Sequence, residues 1–319
     1  MSAPVNSSFP APGVNRSQVA WITAGAIAIF AGLRLLPTGT NLSHMDFRVD
    51  PRAANAIEFC DPLNPQFIPV VAARSPVTLT IVTSAPAVAG REVRAVVTLR
   101  TGSGKPVAPE DLLVAHTRRL HLLLVDPTLA DYQHVHPVPA RRAGEWEFAF
   151  TPHRQGVYRI FADFTPAATG RGLYASVDFD VAPTADAPVA TEAGTAPGWR
   201  AAGAVERDGY RFRLTTAPQP ARAAQPIDLR FAMERSGGEP VRLEPVMGAW
   251  AHLVAFDLSR SGFAHLHPAE TDLLKAPDAI NPVLNFKLTI PRAGRYVIWA
   301  QLNPGGREEF VPFGIDVME

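Results

Sequence analysis

Short runs that alternate between hydrophobic and polar residues, or that are rich in β-branched and aromatic residues, recur from about residue 76 to the end of the chain. In the first half of this region the runs are VTLTIVT, REVRAVVTLRT, LHLLLVD, YQHVH, EWEFAFT, VYRIFADF and YASVDFDV. Gly, Pro and Asp separate them, and none shows helical periodicity. Alternation over short segments rich in β-branched and aromatic residues is typical of β-strands with one buried face. About seven such strands in roughly 105 residues predict a β-sandwich, with a cupredoxin-like Greek key as the alternative.

The same pattern occurs twice. The segment LHLLLVDPTLADYQHVHP (120–137) aligns without a gap with AHLVAFDLSRSGFAHLHP (251–268). Further on, FAFTPHRQGVYRIFADF (148–164) aligns with FKLTIPRAGRYVIWAQL (286–302). Self-similarity of this kind indicates an internal duplication. We therefore predict two tandem β-sandwich domains, at residues 76–183 and 208–319, joined by an Ala- and Pro-rich linker at 184–207.

A single long apolar segment lies near the N-terminus. Residues 19–33 read VAWITAGAIAIFAGL and contain no charge, and no small-x-small cleavage site follows them. Residues 1–37 are therefore predicted to be an N-terminal tail and an uncleaved signal anchor, which makes the protein single-pass with its bulk extracytoplasmic (periplasmic). The alternatives are a cleaved signal peptide, which would give an exported soluble form, and a buried core helix. Residues 38–75 are rich in proline and predict an extended tether or an arm against the first domain.

Composition excludes several classes of function. Lys and Arg total 30, as do Asp and Glu, so the chain lacks the basic excess of a nucleic-acid-binding surface. The only cysteine, Cys60, cannot form an internal disulfide. We expect it to be a small, partly buried residue, and a free thiol, an intermolecular link and a soft metal ligand remain open. The sequence contains no Gly-rich phosphate loop, no nucleophile elbow and no zinc-protease motif, so an enzyme is poorly supported.

Each copy carries the same histidine spacing, H-x12-H-x-H. The six residues are His121, His134 and His136 in the first copy, and His252, His265 and His267 in the second. Because alternate residues of a strand share a face, the last two of each triplet point the same way. If Asp126 pairs with Asp131, the antiparallel register places the first histidine opposite the third. Three imidazoles then converge, with nitrogens roughly 3–4 Å apart, and suit a metal ion with ligands near about 2 Å.

The identity of the ion and its further ligands stay open at this point. Copper is favoured and zinc, with water in the fourth position, is the alternative. His116 and Met247 occupy equivalent positions five residues before each triplet and are candidates for a fourth ligand. Structural histidines paired by hydrogen bonds are the competing interpretation. Other residues are expected to be structural or solvated: His153 (turn), His44 (solvated, with a metal contact as the alternative), Asp126 and Asp257 (turn formers), and Trp250, Trp299 and Tyr296 (core or rim).

The elements HxxxxxD…HxHP, followed by F.F…P..G.Y.I.A.F, resemble exported bacterial proteins with YtkA-like or copper-resistance-like modules. The resemblance covers both repeats, most of residues 77–318. It implies an immunoglobulin-like fold, an extracytoplasmic location and a link to copper or heavy-metal handling, and it implies no reaction. The hypothesis from sequence is therefore a membrane-anchored copper chaperone, buffer or assembly factor. The alternatives are a scaffold subunit of a membrane complex, with non-metal histidines, and an extracytoplasmic enzyme with an open three-histidine metal site.

Overall fold

A computed structural model describes residues 15–35, 42–48, 65–73, 75–184 and 203–319. The chain divides into two units, residues 1–41 and Leu42–Glu319, and the second contains both halves of the duplication. Strands dominate the second unit. This confirms the prediction of an all-β protein of two tandem sandwiches with an N-terminal helix. The choice between immunoglobulin-like and cupredoxin-like topology stays a prediction.

The first sandwich has two sheets, with strand orders β1-β3-β7-β6 and β2-β9-β8-β4-β5. The strands are β1 (Val77–Thr83), β2 (Ala87–Val88), β3 (Val93–Thr101), β4 (Leu120–Val125), β5 (Tyr132–Val135), β6 (Val138–Pro139), β7 (Glu145–Phe150), β8 (Gly156–Phe164) and β9 (Leu173–Ala182). Two 3-10 helices accompany them, His44–Phe47 and Pro109–Asp111. The alternate inward-facing residues of the two sheets form one core, which includes Leu122, Leu124, Trp146 and Ile160.

The second sandwich repeats this plan. Its sheets have the orders β10-β11-β13-β17 and β12-β19-β18-β15-β16, and β14 pairs with β18. The strands are β10 (Ala204–Arg207), β11 (Tyr210–Ala217), β12 (Ala221–Arg222), β13 (Pro226–Arg235), β14 (Leu243–Glu244), β15 (Ala251–Asp257), β16 (Phe263–Leu266), β17 (Val283–Thr289), β18 (Gly294–Pro304) and β19 (Glu309–Met318). Strands β15, β16 and β18 thus correspond to β4, β5 and β8, so the equivalent sheets present equivalent outer faces.

Those two outer faces pack against each other. All residues of β4 are buried. Its even-numbered residues, such as Leu122, enter the first core, whereas Leu123 and Val125 enter a third cluster shared with the second sandwich. The second sandwich contributes Phe256 and Trp299 to that cluster. The Trp299 Nε1–H also donates to the Leu129 carbonyl, at 3.1 Å. Burial of both faces of a strand explains why its sequence is almost continuously apolar.

The residues before the first sandwich lie differently from the prediction of an arm against the first domain. Residues near Leu42 and Phe47 do pack into the core of the first sandwich. Residues 65–71 instead lie on the second sandwich, where Phe67 enters the core and Ile68 pairs with Phe263 of β16. The reason is that β16 is an edge strand, whose unpaired backbone groups are satisfied by this segment. The remaining residues of the predicted tether, 38–41, 49–64 (with Cys60) and 74, lie outside the described part of the chain.

The N-terminal helix, α1, spans Arg16–Leu35. Its window Arg16–Leu33 has a mean hydropathy of 1.2, and its described side chains are exposed. Among the described residues it is the one helix long and apolar enough to cross a membrane, and a signal sequence would meet the same criteria. Orientation, cleavage and the periplasmic location stay predictions.

Candidate metal centres

Two hairpins, β4–β5 and β15–β16, carry the histidine triplets. Asp126 accepts hydrogen bonds from the backbone N–H groups of Ala130 and Asp131, and Asp257 holds the equivalent turn through Ser261. These contacts confirm that both aspartates are turn formers. Leu123 pairs with His134 in the first hairpin, and Val254 with His265 in the second, which is the predicted register.

In the first sandwich the three ring nitrogens converge. His121 Nδ1 lies 3.2 Å from His134 Nε2 and 3.0 Å from His136 Nε2. All three ligand atoms fall within 4.8 Å of one another. Tetrahedral or trigonal nitrogen ligands at about 2 Å from an ion lie about 3.3–3.5 Å apart. The three side chains are therefore nearly in place for a metal ion.

The second sandwich repeats the arrangement. His252 Nδ1 lies 3.1 Å from His265 Nε2, and His267 completes a set whose atoms again fall within 4.8 Å. His267 Nε2 is buried and has no hydrogen-bond partner in the described part of the chain. A buried polar atom without a partner is costly, so this nitrogen is available to a ligand. Two three-histidine groups could thus each hold a metal ion.

Hydrogen bonds from the ring nitrogens that point away from each triplet fix the tautomers of His121 and His252. The Nε2–H groups of His121 and His252 donate to the backbone carbonyls of Ala115 and Val246, at 3.0 and 3.1 Å. In the neutral ring the other nitrogen, Nδ1, then carries a lone pair. Each of these Nδ1 atoms faces the convergence point of its own triplet.

Two further histidine rings are held by hydrogen bonds to the opposite sandwich. The Nδ1–H of His134 donates to Gln301 Oε1 at 3.0 Å, and the Nδ1–H of His265 donates to Asp163 Oδ2 at 3.2 Å. Their Nε2 atoms therefore also carry lone pairs. Within each triplet, two lone pairs meet at 3.1–3.2 Å with no proton to place between them. Neutral histidines that hydrogen-bond to each other would need one such proton, so this geometry suits a cation better than a structural pair.

Burial keeps the rings neutral. Removal from water lowers the pKa of His136 to about 3 and that of His252 to about 4, compared with an ordinary 6.5. The same burial, together with repulsion from neighbouring histidines, lowers the pKa values of His134, His265 and His267 well below the ordinary value. Neutral imidazole is the form that binds metal, so no protons have to be displaced at pH 7.

The two centres lie close together at one end of the interface between the sandwiches. The ring centroids of His134 and His265, one from each set, are 5.2 Å apart. A cavity of about 1030 Å³ reaches His121 and His267 and is bounded by both sandwiches. The cavity gives an ion a route to at least one histidine of each set.

The proposed fourth ligands take up different positions. The ring of His116 stacks on His267 of the other sandwich, with centroids 3.6 Å apart. Met247 Sδ accepts a long hydrogen bond, 3.9 Å, from Gln301 Nε2. Both residues therefore lie beside the histidine sets, and their role as ligands stays a prediction.

Other sequence expectations have clear outcomes. The His153 ring bonds to buried Asp131 at 3.0 Å, and this contact raises the pKa of His153. His44 is exposed at the start of a 3-10 helix, away from either triplet. Trp250 and Tyr296 are buried in the core of the second sandwich.

Sequence reasoning missed Asp163 and Gln301. Asp163 of β8 pairs in register with His121, and Gln301 of β18 pairs with His252. The two positions coincide in the aligned blocks FADF and WAQL. A polar residue at the same point of an otherwise apolar strand in both copies was the available signal.

Comparison with known proteins gives the family. The sequence model of the family described as "Domain of unknown function (DUF8832)" matches residues 73–182 and 204–319, which is most of the chain. The chain therefore belongs to this family and contains its domain twice. Among curated proteins, none matches.

Solved structures give distant likenesses. Red sea bream transglutaminase is 9% identical, over 78% of this chain and 32% of its own, with a TM-score of 0.24. The fibronectin(III)-like modules of Clostridium thermocellum CbhA are 12% identical, over 75% and 94%, with a TM-score of 0.19. Trypsin-activated alpha-2-macroglobulin from Escherichia coli is 12% identical, over 86% and 17%, with a TM-score of 0.22. At these scores the likenesses carry no argument about the site. The chain spans about a third or less of the transglutaminase and the macroglobulin.

Proposed function

We propose that this two-domain member of the family binds two metal ions, copper in preference to zinc, one in each histidine triplet. In this proposal α1 attaches the protein to a membrane and the sandwiches lie on the extracytoplasmic side. The protein then handles copper as a chaperone, a buffer or an assembly factor.

One observation carries the proposal. In each triplet two imidazole lone pairs, fixed by hydrogen bonds on the far side of each ring, face each other at 3.1–3.2 Å. Facing lone pairs repel in a buried site unless a cation lies between them. The uncompensated Nε2 of His267 supports the same conclusion.

The donor set favours copper. Imidazole nitrogen suits copper, zinc, iron and nickel, and copper(II) forms the tightest complexes among divalent ions of the first transition row. Three neutral donors also suit zinc when a water molecule completes the set. The resemblance to copper-resistance-like modules supports copper, and Met247 supplies a soft sulfur atom near the first triplet.

The open cavity beside the triplets favours a protein that exchanges its ion over one that holds it permanently. The cavity beside the triplets is bounded by His116, Asp163 and Tyr174 and is partly open. An ion in a structural site is usually enclosed by four protein ligands, whereas an incomplete set leaves a position for exchange.

The test is metal content. The full chain, purified in detergent, loaded with copper and dialysed, should retain two ions per chain. The variants His134→Ala and His265→Ala should each retain one, and the double variant none. His153→Ala, which alters a histidine outside both triplets, is the matched control and should retain two. Equal copper in the wild type and the double variant would disprove metal binding at these sites.

A further inference from the structure

We infer that Asp163 and Gln301 are positioning residues that make the two metal sites unequal, so that the site of the second sandwich binds divalent ions more tightly. The inference rests on the proposed function and adds to it the order in which the sites fill.

Each of these residues serves the opposite sandwich. Asp163 belongs to the first sandwich and accepts the Nδ1–H of His265 in the second, at 3.2 Å. Gln301 belongs to the second sandwich and accepts the Nδ1–H of His134 in the first, at 3.0 Å. Each three-histidine set therefore lies within one sandwich but takes one of its supporting hydrogen bonds from the other.

The two contacts differ in charge. A carboxylate that accepts the second N–H of a ligating imidazole orients the ring and makes it a stronger donor, whereas an amide only orients it. All six rings are neutral and an amide carries no charge, so of the two supporting residues only Asp163 can supply a negative charge near the ions. Asp163 is also shielded from water, with 22% of its side chain exposed, so its attraction to a cation is weakly screened.

The residues around Gln301 orient its side-chain amide so that the oxygen faces His134. Gln301 is 1% exposed. Its Nε2–H group is directed toward Met247 Sδ at 3.9 Å, which turns Oε1 toward His134. In the first sandwich His116 occupies the place equivalent to Met247 and lies at the cavity wall together with Asp163. The two halves thus share their ligands and differ in the residues that support them.

The experiment measures each site alone in the full chain. His136→Ala removes the first set and leaves both supporting residues, and His267→Ala does the same for the second set. Copper(II) affinity is then measured by competition with a chelator of known affinity. The metal-free unfolding midpoint of each variant, determined in parallel, shows that it is folded.

In the His136→Ala protein, Asp163→Asn should lower the affinity of the remaining site about 10- to 100-fold. Asp163→Glu should recover part of the loss. In the His267→Ala protein, Gln301→Glu should raise the affinity of the remaining site by about 10-fold or more. Asp180→Asn, which removes an exposed carboxylate from β9 of the same sheet, should change neither site.

A spectroscopic signature separates positioning from mere structural support. The electron paramagnetic resonance spectrum of copper(II) in the second set should change its parallel g value in Asp163→Asn and keep it in the control. If the single-site proteins do not fold, a stepwise titration of Asp163→Asn on its own should show loss of the tighter first step.

The outcomes distinguish the two proposals. If the wild type binds no copper, the proposed function fails and this inference fails with it. If the wild type binds two ions with equal affinity, or Asp163→Asn leaves the second set unchanged, only this inference is refuted.

Discussion

Lowering the pH from 7.5 to 5 should markedly destabilise the metal-free protein. The buried histidines have pKa values below that of an unfolded histidine, and burial is the main cause. For such a group the unfolded chain binds more protons than the folded chain at pH values between the two pKa values. Its contribution to stability is therefore present above the unfolded pKa and is lost as the pH falls below it.

The magnitude follows from His252, which has no exposed surface. Its pKa is lowered from 6.5 to about 4, so the ring stays neutral at pH 5 while the unfolded chain is protonated. A difference of about 1.5 pH units corresponds to about 2 kcal/mol. The pKa values of His134 and His265 are lowered in the same direction, so both add to the loss of stability. His136 adds less because water screens its partly exposed ring.

His153 acts in the opposite direction to the buried histidines. Its contact with Asp131 raises its pKa, so it stabilises the folded state at low pH and loses that contribution as the pH rises. The ring is largely exposed, at 67% of its side chain, so this opposing effect is small.

The assay is urea unfolding followed by tryptophan fluorescence, at pH 7.5, 6 and 5, with a chelator present. The free energy of unfolding should fall by at least about 2 kcal/mol over this range, with an unchanged slope in urea. His252→Asn should show a weaker pH dependence. A free energy of unfolding that is constant from pH 7.5 to 5 would refute the view that these rings are buried and neutral.

Three further results are expected. A Cβ added in Gly262→Ala would overlap the Ile68 carbonyl, so residues 65–71 should detach, which limited proteolysis can detect as new cleavage, at a cost of about 1–3 kcal/mol in urea unfolding. Trp299→Ala removes a buried ring between the sandwiches and should lower the free energy of unfolding by about 3–5 kcal/mol, whereas a change below 1 kcal/mol would contradict the packed interface. Rings of the two histidine sets approach to 5.2 Å, so two copper(II) ions would lie within about 12 Å of each other, and the paramagnetic resonance spectrum of the doubly loaded protein should show dipolar broadening that is absent from His134→Ala.

Local pattern was enough to predict the strands and the histidine hairpins. Alternation identifies a strand, and the turn residue Asp126 fixes where the hairpin closes, because its carboxylate accepts the backbone N–H groups of the turn. Once the turn is fixed, the two-residue period of a strand determines which histidines share a face. The duplication strengthened the prediction, because the same strand register had to hold in both copies.

The packing of one sandwich on the other could not be predicted in the same way. The run LHLLLV of β4 is apolar at successive positions, which indicates burial of both faces. That pattern does not say which surface covers the second face. Leu123 and Val125 pack against a surface of the second sandwich, more than a hundred residues further along the chain, and only the folded structure shows it. The placement of residues 65–71 was missed for the same reason.

The unpredicted interface also explains the chemistry of the site. If the sandwiches were separate, His134 and His265 would lose the hydrogen bonds that they donate to Gln301 and Asp163, and their tautomers would no longer be fixed. Their Nε2 atoms could then carry protons and bond to the neighbouring rings, as structural histidines do. The hairpin brings three rings together in each half, but contact between the halves is what leaves them with lone pairs directed at one point. Metal binding at either triplet should therefore depend on the integrity of both sandwiches.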